Sequence, residues 1–335
     1  MLVALASCPS LAVALVPNWY NTAMNLQTEL APQHKSGLLL KNPVMMASGT
    51  FGYGVEYARI AEIHRLGAIV CKGTTLHARP GNEQPRILET ASGMLNSIGL
   101  QNPGVHAVLR KYAPVWASWQ TPVIVNIAGE TIEEFVALAE IIEGVEGVAG
   151  IEVNVSCPNM RAGGSVFGAD PQVVADVTAS VRRVTTLPLI VKLSPDSGDA
   201  RPTALAAASS GADAISLINT INGMSIDTRT RRPTLANITG GLSGPAIKPL
   251  ALRMVYEVAG ELRSAYPNVP VIGIGGIGNA HDVLEFLMAG ASAIQVGTMN
   301  FVNPRAGVEI IEGIEAFLQQ EGVASVAEII GAALP

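Results

Sequence analysis

From residue 43 onward the sequence alternates short β-rich runs with longer helical patterns, and this alternation constrains the fold more than any other feature. The β-rich runs occur at residues 43–48, 68–72, 122–127, 150–156, 188–193, 214–219, 269–274 and 293–297. Helical patterns follow them near residues 55–66, 103–117, 131–143, 170–185, 200–210, 246–264, 280–289 and 304–320. Such βα repeats predict an α/β protein with a parallel sheet covered by helices.

Eight repeats predict that the sheet closes into a (β/α)8 TIM barrel. An open doubly wound sheet is the alternative, but its glycine-rich turn would follow the first strand, and here the Gly275–Gly276 pair comes late. One domain over residues 24–335 is expected, because no polar linker divides the chain. Two long insertions, residues 74–102 after the second strand and 221–245 after the sixth, are expected to cover a functional site.

The first 28 residues contain no charged side chain, so a targeting segment has to be considered. A signal peptide should begin with positive charge, and Ser7, Pro9 and Ser10 interrupt the apolar run that a membrane-spanning helix needs. We expect residues 1–23 to be a poorly ordered N-terminal extension, with membrane anchoring as the alternative.

Composition and charge narrow the classes of function. The net charge of −6 and an aromatic content of 4% argue against nucleic-acid binding. The three cysteines, Cys8, Cys71 and Cys157, are too few and too widely spaced for a disulfide framework or a zinc site. Reduced thiols and a cytoplasmic location are therefore expected, with no bound metal.

Polar residues gather at the predicted carboxyl ends of the strands, where barrel enzymes place their active sites. Lys72 and Lys192 lie inside apolar strands of a chain with only 14% charged residues, which indicates an anionic ligand over the barrel mouth. Gly275, Gly276 and Gly297 would let the backbone approach a phosphate closely. Sugar-phosphate enzymes share such glycine pairs, but FMN fits the whole pattern better, because a lysine can stabilise its reduced ring.

The run from Asn154 to Asn159 places the thiol of Cys157 just after an apolar strand and among amides. A buried apolar cysteine is the simpler interpretation, since free cysteine is among the most buried residue types. The amides at both ends and the strand-breaking Pro158 favour a site in which Cys157 acts as a general base.

Several motifs in one order resemble dihydroorotate dehydrogenase of class 1B. They are the runs 47–54, 72–73, 96–104, 154–159, 219–220 and 240–249. The resemblance covers residues 24–335. It departs from the family pattern at residues 82–86, where a more proline-rich turn is expected, and in the uncharged extension.

The resemblance implies an FMN barrel that oxidises dihydroorotate to orotate in pyrimidine biosynthesis, with Cys157 taking a proton from C5 as hydride leaves C6 for the flavin. It assigns Lys72 a catalytic role as well. The residues it implies for FMN are Ser48, Lys72, Gly73, Asn126, Asn154, Lys192, Ile218, Gly244, Gly275, Gly276, Gly297 and Thr298. Those implied for the substrate are Lys72, Asn96, Ser97, Ile98, Gly99, Leu100, Asn154, Asn159, Asn219 and Thr220.

Class 1B also implies NAD as the electron acceptor, reached through a partner subunit that carries FAD and a [2Fe-2S] cluster. Three scattered cysteines cannot supply the four ligands of such a cluster. The expected assembly is a homodimer of this chain with two electron-transfer subunits, a heterotetramer. Two other functions stay open at this point: a flavin reductase similar to dihydropyrimidine dehydrogenase, and a flavin-free sugar-phosphate isomerase or lyase.

Overall fold

The structure, a computed structural model, describes residues 24–155, 161–162 and 165–335. Its centre is a closed barrel of eight parallel strands, in which each strand pairs with the next along the chain and the last pairs with the first. The strands are β1 (Val44–Met46), β2 (Ala68–Val70), β3 (Val123–Ile127), β4 (Gly150–Asn154), β5 (Leu189–Lys192), β6 (Ala214–Leu217), β7 (Val271–Ile274) and β8 (Ala291–Val296). The predicted eight-stranded barrel is confirmed.

Helices connect most of the strands. They are α1 (Val105–Trp116), α2 (Ile132–Ile142), α3 (Pro171–Arg182), α4 (Arg201–Ser209), α5 (Lys248–Ala265), α6 (Ala280–Met288), α7 (Met299–Val302) and α8 (Ala306–Glu321). Side-chain caps define where some helices begin. At the start of α2, Thr131 accepts a hydrogen bond from the N–H of Glu134, and at the start of α6, Asn279 and Asp282 form a capping box. Within the described residues no helix is long and apolar enough to cross a membrane.

The helix predicted over residues 55–66 is wrong. This segment forms successive turns and a short 3₁₀ helix, Ile63–Arg65, which is preceded by Glu62 in the left-handed region at φ 44°. The ring of Tyr57 stacks on Phe51 and its hydroxyl donates to the carbonyl of Thr50 at 3.1 Å. These contacts hold Tyr57 against the loop after β1, and the left-handed residue interrupts regular helical hydrogen bonding.

An N-terminal hairpin closes the amino-terminal end of the barrel. Its strands, Thr28–Glu29 and Leu39–Leu40, pair antiparallel. Leu30 and Leu40 are fully buried and belong to the same apolar cluster as the inward-facing Met45, Ile124 and Ile190. The lower half of the barrel interior is therefore an apolar core, and polar side chains face inward only nearer the carboxyl ends of the strands.

The two insertions meet in one antiparallel sheet above the barrel mouth. Its strand order is Ile221–Met224, Thr239–Ser243, Gly93–Asn96 and Ile87–Thr90. The first two strands belong to the second insertion, and the last two belong to the first insertion. The joining ladder pairs Gly241 with Asn96 and Leu242 with Leu95. Segments about 145 residues apart in sequence, such as Asn96 and Gly241, thus share backbone hydrogen bonds beside the strand ends.

Candidate active site

A cavity of about 1540 Å³ lies between the carboxyl ends of the barrel strands and the insertion sheet. It is large enough for a nucleotide cofactor together with a small substrate, since single-ligand pockets usually have 300–1,000 Å³. Every described residue of the predicted site lines it: Ser48, Lys72, Gly73, Asn96, Ser97, Ile98, Gly99, Leu100, Asn126, Asn154, Lys192, Ile218, Asn219, Thr220, Gly244, Gly275, Gly276, Gly297 and Thr298. Cys157 and Asn159 lie outside the described residues.

Side-chain amides from the ends of two strands face one another in this cavity. Asn154 ends β4 and accepts a hydrogen bond from the side-chain amide of Asn219, which follows β6, at 3.4 Å. The side chain of Asn219 in turn accepts from the backbone N–H of Thr220 at 2.8 Å. Because an amide both donates and accepts, this group can pair with the alternating carbonyl and N–H groups of a pyrimidine ring.

Glycines form the opposite end of the cavity. Gly276 has φ 70° after β7, and a Cβ there would lie 2.6 Å from Cβ of Lys248. The ammonium of Lys248 donates to Asp282 at 2.6 Å, and Asp282 accepts from the backbone N–H of Gly278 at 2.8 Å. The loop after β7 is thus held against the start of α5 in a conformation that brings bare backbone to the cavity, as phosphate sites require.

The same end contacts the insertion sheet. Gly244 has φ 92°, and a Cβ there would lie 2.7 Å from Cα of Gly93 in the first insertion. The hydroxyl of Thr298, after β8, donates to Ser243 Oγ at 2.7 Å. Both insertions and the last two strands therefore fix the shape of the region proposed for phosphate.

Lys72 lies at the other end, beside the first insertion. Burial lowers the pKa of its ammonium, the positive charge of Arg86 lowers it further, and Glu56 partly opposes both. An anion bound next to Lys72 would stabilise its charged form. The chemistry of this end suits an anion such as a carboxylate, because the cationic side chain of Lys72 lines the cavity there.

Lys192 requires a revision of the sequence interpretation. Its ammonium lies 4.0 Å from the carboxylate of Glu152 and donates to Ser48 Oγ at 3.3 Å. The burial of Lys192 therefore does not by itself demand an anionic ligand, since the protein supplies an anion. The anion beside Lys192 is Glu152, which lies inside the predicted run 150–156.

Residues that sequence reasoning missed lie directly beneath the cavity. The carboxylate of Glu152 is fully buried and accepts hydrogen bonds from Asn126, Ser216 and Gln295. The sequence does indicate the position of Glu152, because it is two positions before Asn154 in the same strand and both side chains therefore point inward. Ser216 and Gln295 gave no comparable signal, because neutral polar residues are common in strands.

Two buried polar atoms on the cavity side have no hydrogen-bond partner within the described structure: Ser97 Oγ and Asn126 Oδ1. Buried polar atoms are rarely left unpaired, so a ligand with an N–H or hydroxyl group fits here. Both a flavin ring and a dihydropyrimidine carry such groups. Cys71, by contrast, is fully buried, and burial raises the pKa of its thiol to about 12, so it is unsuited to act as a base.

Comparison with known proteins decides the family. The family model described as "Dihydroorotate dehydrogenase" matches residues 31–318. The chain belongs to the dihydroorotate dehydrogenase family. Residues 31–318 include the whole barrel through most of α8 and both insertions, so this dihydroorotate dehydrogenase match takes in every described residue of the candidate site.

Curated members of the dihydroorotate dehydrogenase family resemble the chain over most of its length. A protein of Pelobacter propionicus named "Dihydroorotate dehydrogenase B (NAD(+)), catalytic subunit" is 54% identical over 297 residues, which are 89% of this chain and 96% of its own length. A protein of the same name from Thermoanaerobacter pseudethanolicus is 52% identical over 308 residues, 92% of this chain and 98% of its own. The class 1B resemblance predicted from the motifs is confirmed.

Proposed function

We propose that the chain oxidises (S)-dihydroorotate to orotate in pyrimidine biosynthesis, using bound FMN and passing the electrons to NAD through a partner subunit. One observation carries this proposal: a single cavity brings together amides suited to a pyrimidine, cations suited to a carboxylate and a glycine-rich backbone suited to a phosphate. The names of the relatives point to the same reaction.

FMN is the cofactor that we propose for the larger part of the cavity. Gly276, Gly297 and Gly244 would hold its phosphate, and Lys192 with Asn126 would contact the pyrimidine edge of its ring. The unpaired Asn126 Oδ1 supports this placement, because it is a buried acceptor on a side chain that lines the cavity. When bound, FMN supplies the two-electron acceptor that takes hydride from the substrate.

The substrate would occupy the space between the amides and the first insertion. We propose that Lys72 binds its carboxylate, that Asn154, Asn219 and Thr220 hold its ring, and that residues 96–100 close over it. Asn159 would complete the ring contacts. Cys157 would accept the proton from C5, and a side chain in position to take that proton accounts for roughly 10²- to 10⁴-fold in rate.

NAD as acceptor requires a second subunit in this proposal. The relatives are named as catalytic subunits, which implies a separate partner for them. We propose that FAD and a [2Fe-2S] cluster reside on that partner and that two such subunits join a homodimer of this chain. The three cysteines of the chain fit a reducing compartment, and we propose the cytoplasm.

The proposal is tested on the purified chain, without oxygen. We expect a flavin spectrum that bleaches on addition of dihydroorotate but not of dihydrouracil, which lacks the carboxylate. C157A should lower the bleaching rate by roughly 10²- to 10⁴-fold, whereas the matched control C8A should not change it. A colourless protein, or bleaching by dihydrouracil alone, would refute the proposed reaction. Efficient NAD reduction by the isolated chain would refute the need for a partner.

A further inference from the structure

A carboxylate is buried inside the barrel one layer below the cavity. Glu152 Oε1 accepts from the amide of Asn126 at 2.7 Å. Its Oε2 accepts from Ser216 Oγ at 3.0 Å and from the amide of Gln295 at 2.7 Å. The Lys192 ammonium lies 4.0 Å from Oε1. Side chains from four other strands thus converge on one carboxyl group that is shielded from water.

The hydrogen bonds fit an ionised carboxylate. Two of the three donors are amide N–H groups, which cannot accept a proton in return, and all three point at the carboxyl oxygens. A buried anion of this kind is costly unless a cation and several donors accompany it, and all are present here. The barrel therefore holds a fixed negative charge beneath its mouth.

Glu152 reaches the cavity only through its neighbours. Asn126 and Lys192 line the cavity, whereas Glu152 does not. Each of these two side chains contacts the carboxylate on one side and presents its remaining surface to the space proposed for the flavin. The amide of Asn126 donates its N–H to Glu152, and this hydrogen bond fixes the orientation of the amide.

We propose that Glu152 is a positioning residue that sets the reduction potential of the bound flavin. This inference rests on the proposed function, because it requires a flavin over Lys192. The carboxylate orients the Lys192 ammonium and the Asn126 amide toward the ring, and its negative charge offsets part of the positive field of Lys192. A reduced anionic flavin is consequently stabilised less than Lys192 alone would stabilise it.

The test uses E152Q, which keeps the shape of the side chain and removes its charge. The barrel can accept the introduced amide, because Gln295 Oε1 is a buried acceptor without a partner in the described structure and can turn toward it. We expect the ratio of reduced to oxidised flavin at a fixed potential to rise about tenfold, a midpoint shift of about +30 mV for a two-electron couple. E152D retains the charge and should shift the midpoint by less than half as much.

The midpoint is measured by anaerobic titration against a reference dye, and flavin content is measured on the same samples. A flavin-loaded E152Q protein whose midpoint is unchanged or lower overturns the inference. A wild-type protein that binds no flavin instead overturns the proposed function, so the two failures are distinguishable. If E152Q does not fold, E152D takes its place: drawing the carboxylate back from Lys192 by one methylene group should raise the midpoint, by less than half of the shift expected for E152Q. A flavin-loaded E152D protein whose midpoint equals that of the wild type would also overturn the inference.

Discussion

Gly241 lies where the insertion sheet meets two residues proposed to bind the substrate. In the ladder it is paired with Asn96, whose side-chain amide donates to the Gly241 carbonyl at 3.3 Å. On the other side, a Cβ added to Gly241 would overlap Oγ1 of Thr220 and lie 2.5 Å from its Cβ. No rotation of Thr220 relieves a clash with its own Cβ, so G241A must displace the Thr220 backbone or the sheet strand.

The displacement should appear in substrate binding. Overpacking of this kind costs typically 1–3 kcal/mol. If this free energy is lost from orotate binding, the dissociation constant of orotate rises roughly 5- to 150-fold. Thr220 donates its N–H to Asn219, which donates to Asn154, so a shift of Thr220 also misplaces the two amides proposed to hold the ring.

Gly223 provides a matched control in the same sheet. It pairs with Gly240 one position along the ladder, and a Cβ there would come no nearer than 3.3 Å to the methyl group of Leu95, a flexible side-chain end. The assay is a titration of flavin-loaded protein with orotate, followed by the change in flavin absorbance. If G241A binds orotate within about twofold of G223A, the sheet does not position Thr220 for substrate binding.

Three further predictions concern the barrel ends and Lys72. L40A removes a fully buried leucine from the hairpin and should lower the free energy of unfolding by about 2–5 kcal/mol, whereas L39A, at a 57% exposed position, should change it by less than about 0.5 kcal/mol in denaturant titrations. G276A should reduce the flavin content of purified protein because the new Cβ would collide with Lys248; G144A, at a similar φ of 71° in open space, should not. Burial, and to a smaller extent the charge of Arg86, lowers the pKa of Lys72, so orotate affinity in a C157A background should fall as pH rises through a value below the ordinary lysine pKa. K72R should show no such fall, since a guanidinium stays charged; affinity that persists to the ordinary lysine pKa would contradict the assignment.

The barrel was predictable because each buried parallel strand is a short, continuous apolar run with β-branched residues, as in residues 122–127 and 188–193. The failed helix over residues 55–66 shows the limit of such patterns. Its apolar spacing is compatible with a helix, but the left-handed Glu62 and the stacking of Tyr57 on Phe51 are set by tertiary contacts. No local pattern contains that information.

The site was predictable to the extent that strand ends define it. Asn154, Lys192 and Thr298 each follow from locating the end of a strand. The pairing of the two insertions did not follow, because the register of Gly241 against Asn96 depends on two segments that are remote in sequence. The ion pair of Lys192 did not follow either, because its partner Glu152 belongs to the adjacent strand.

The insertion sheet has a consequence for how this protein can be altered. Its inner strands, Thr239–Ser243 and Gly93–Asn96, come from different insertions, so each supplies the hydrogen-bonding edge that the other needs. A lone two-stranded hairpin is marginally stable in water. Removing either insertion would therefore leave the other with an unpaired strand edge over the barrel mouth. The two insertions depend on each other for stability, although more than a third of the chain separates Asn96 from Gly241.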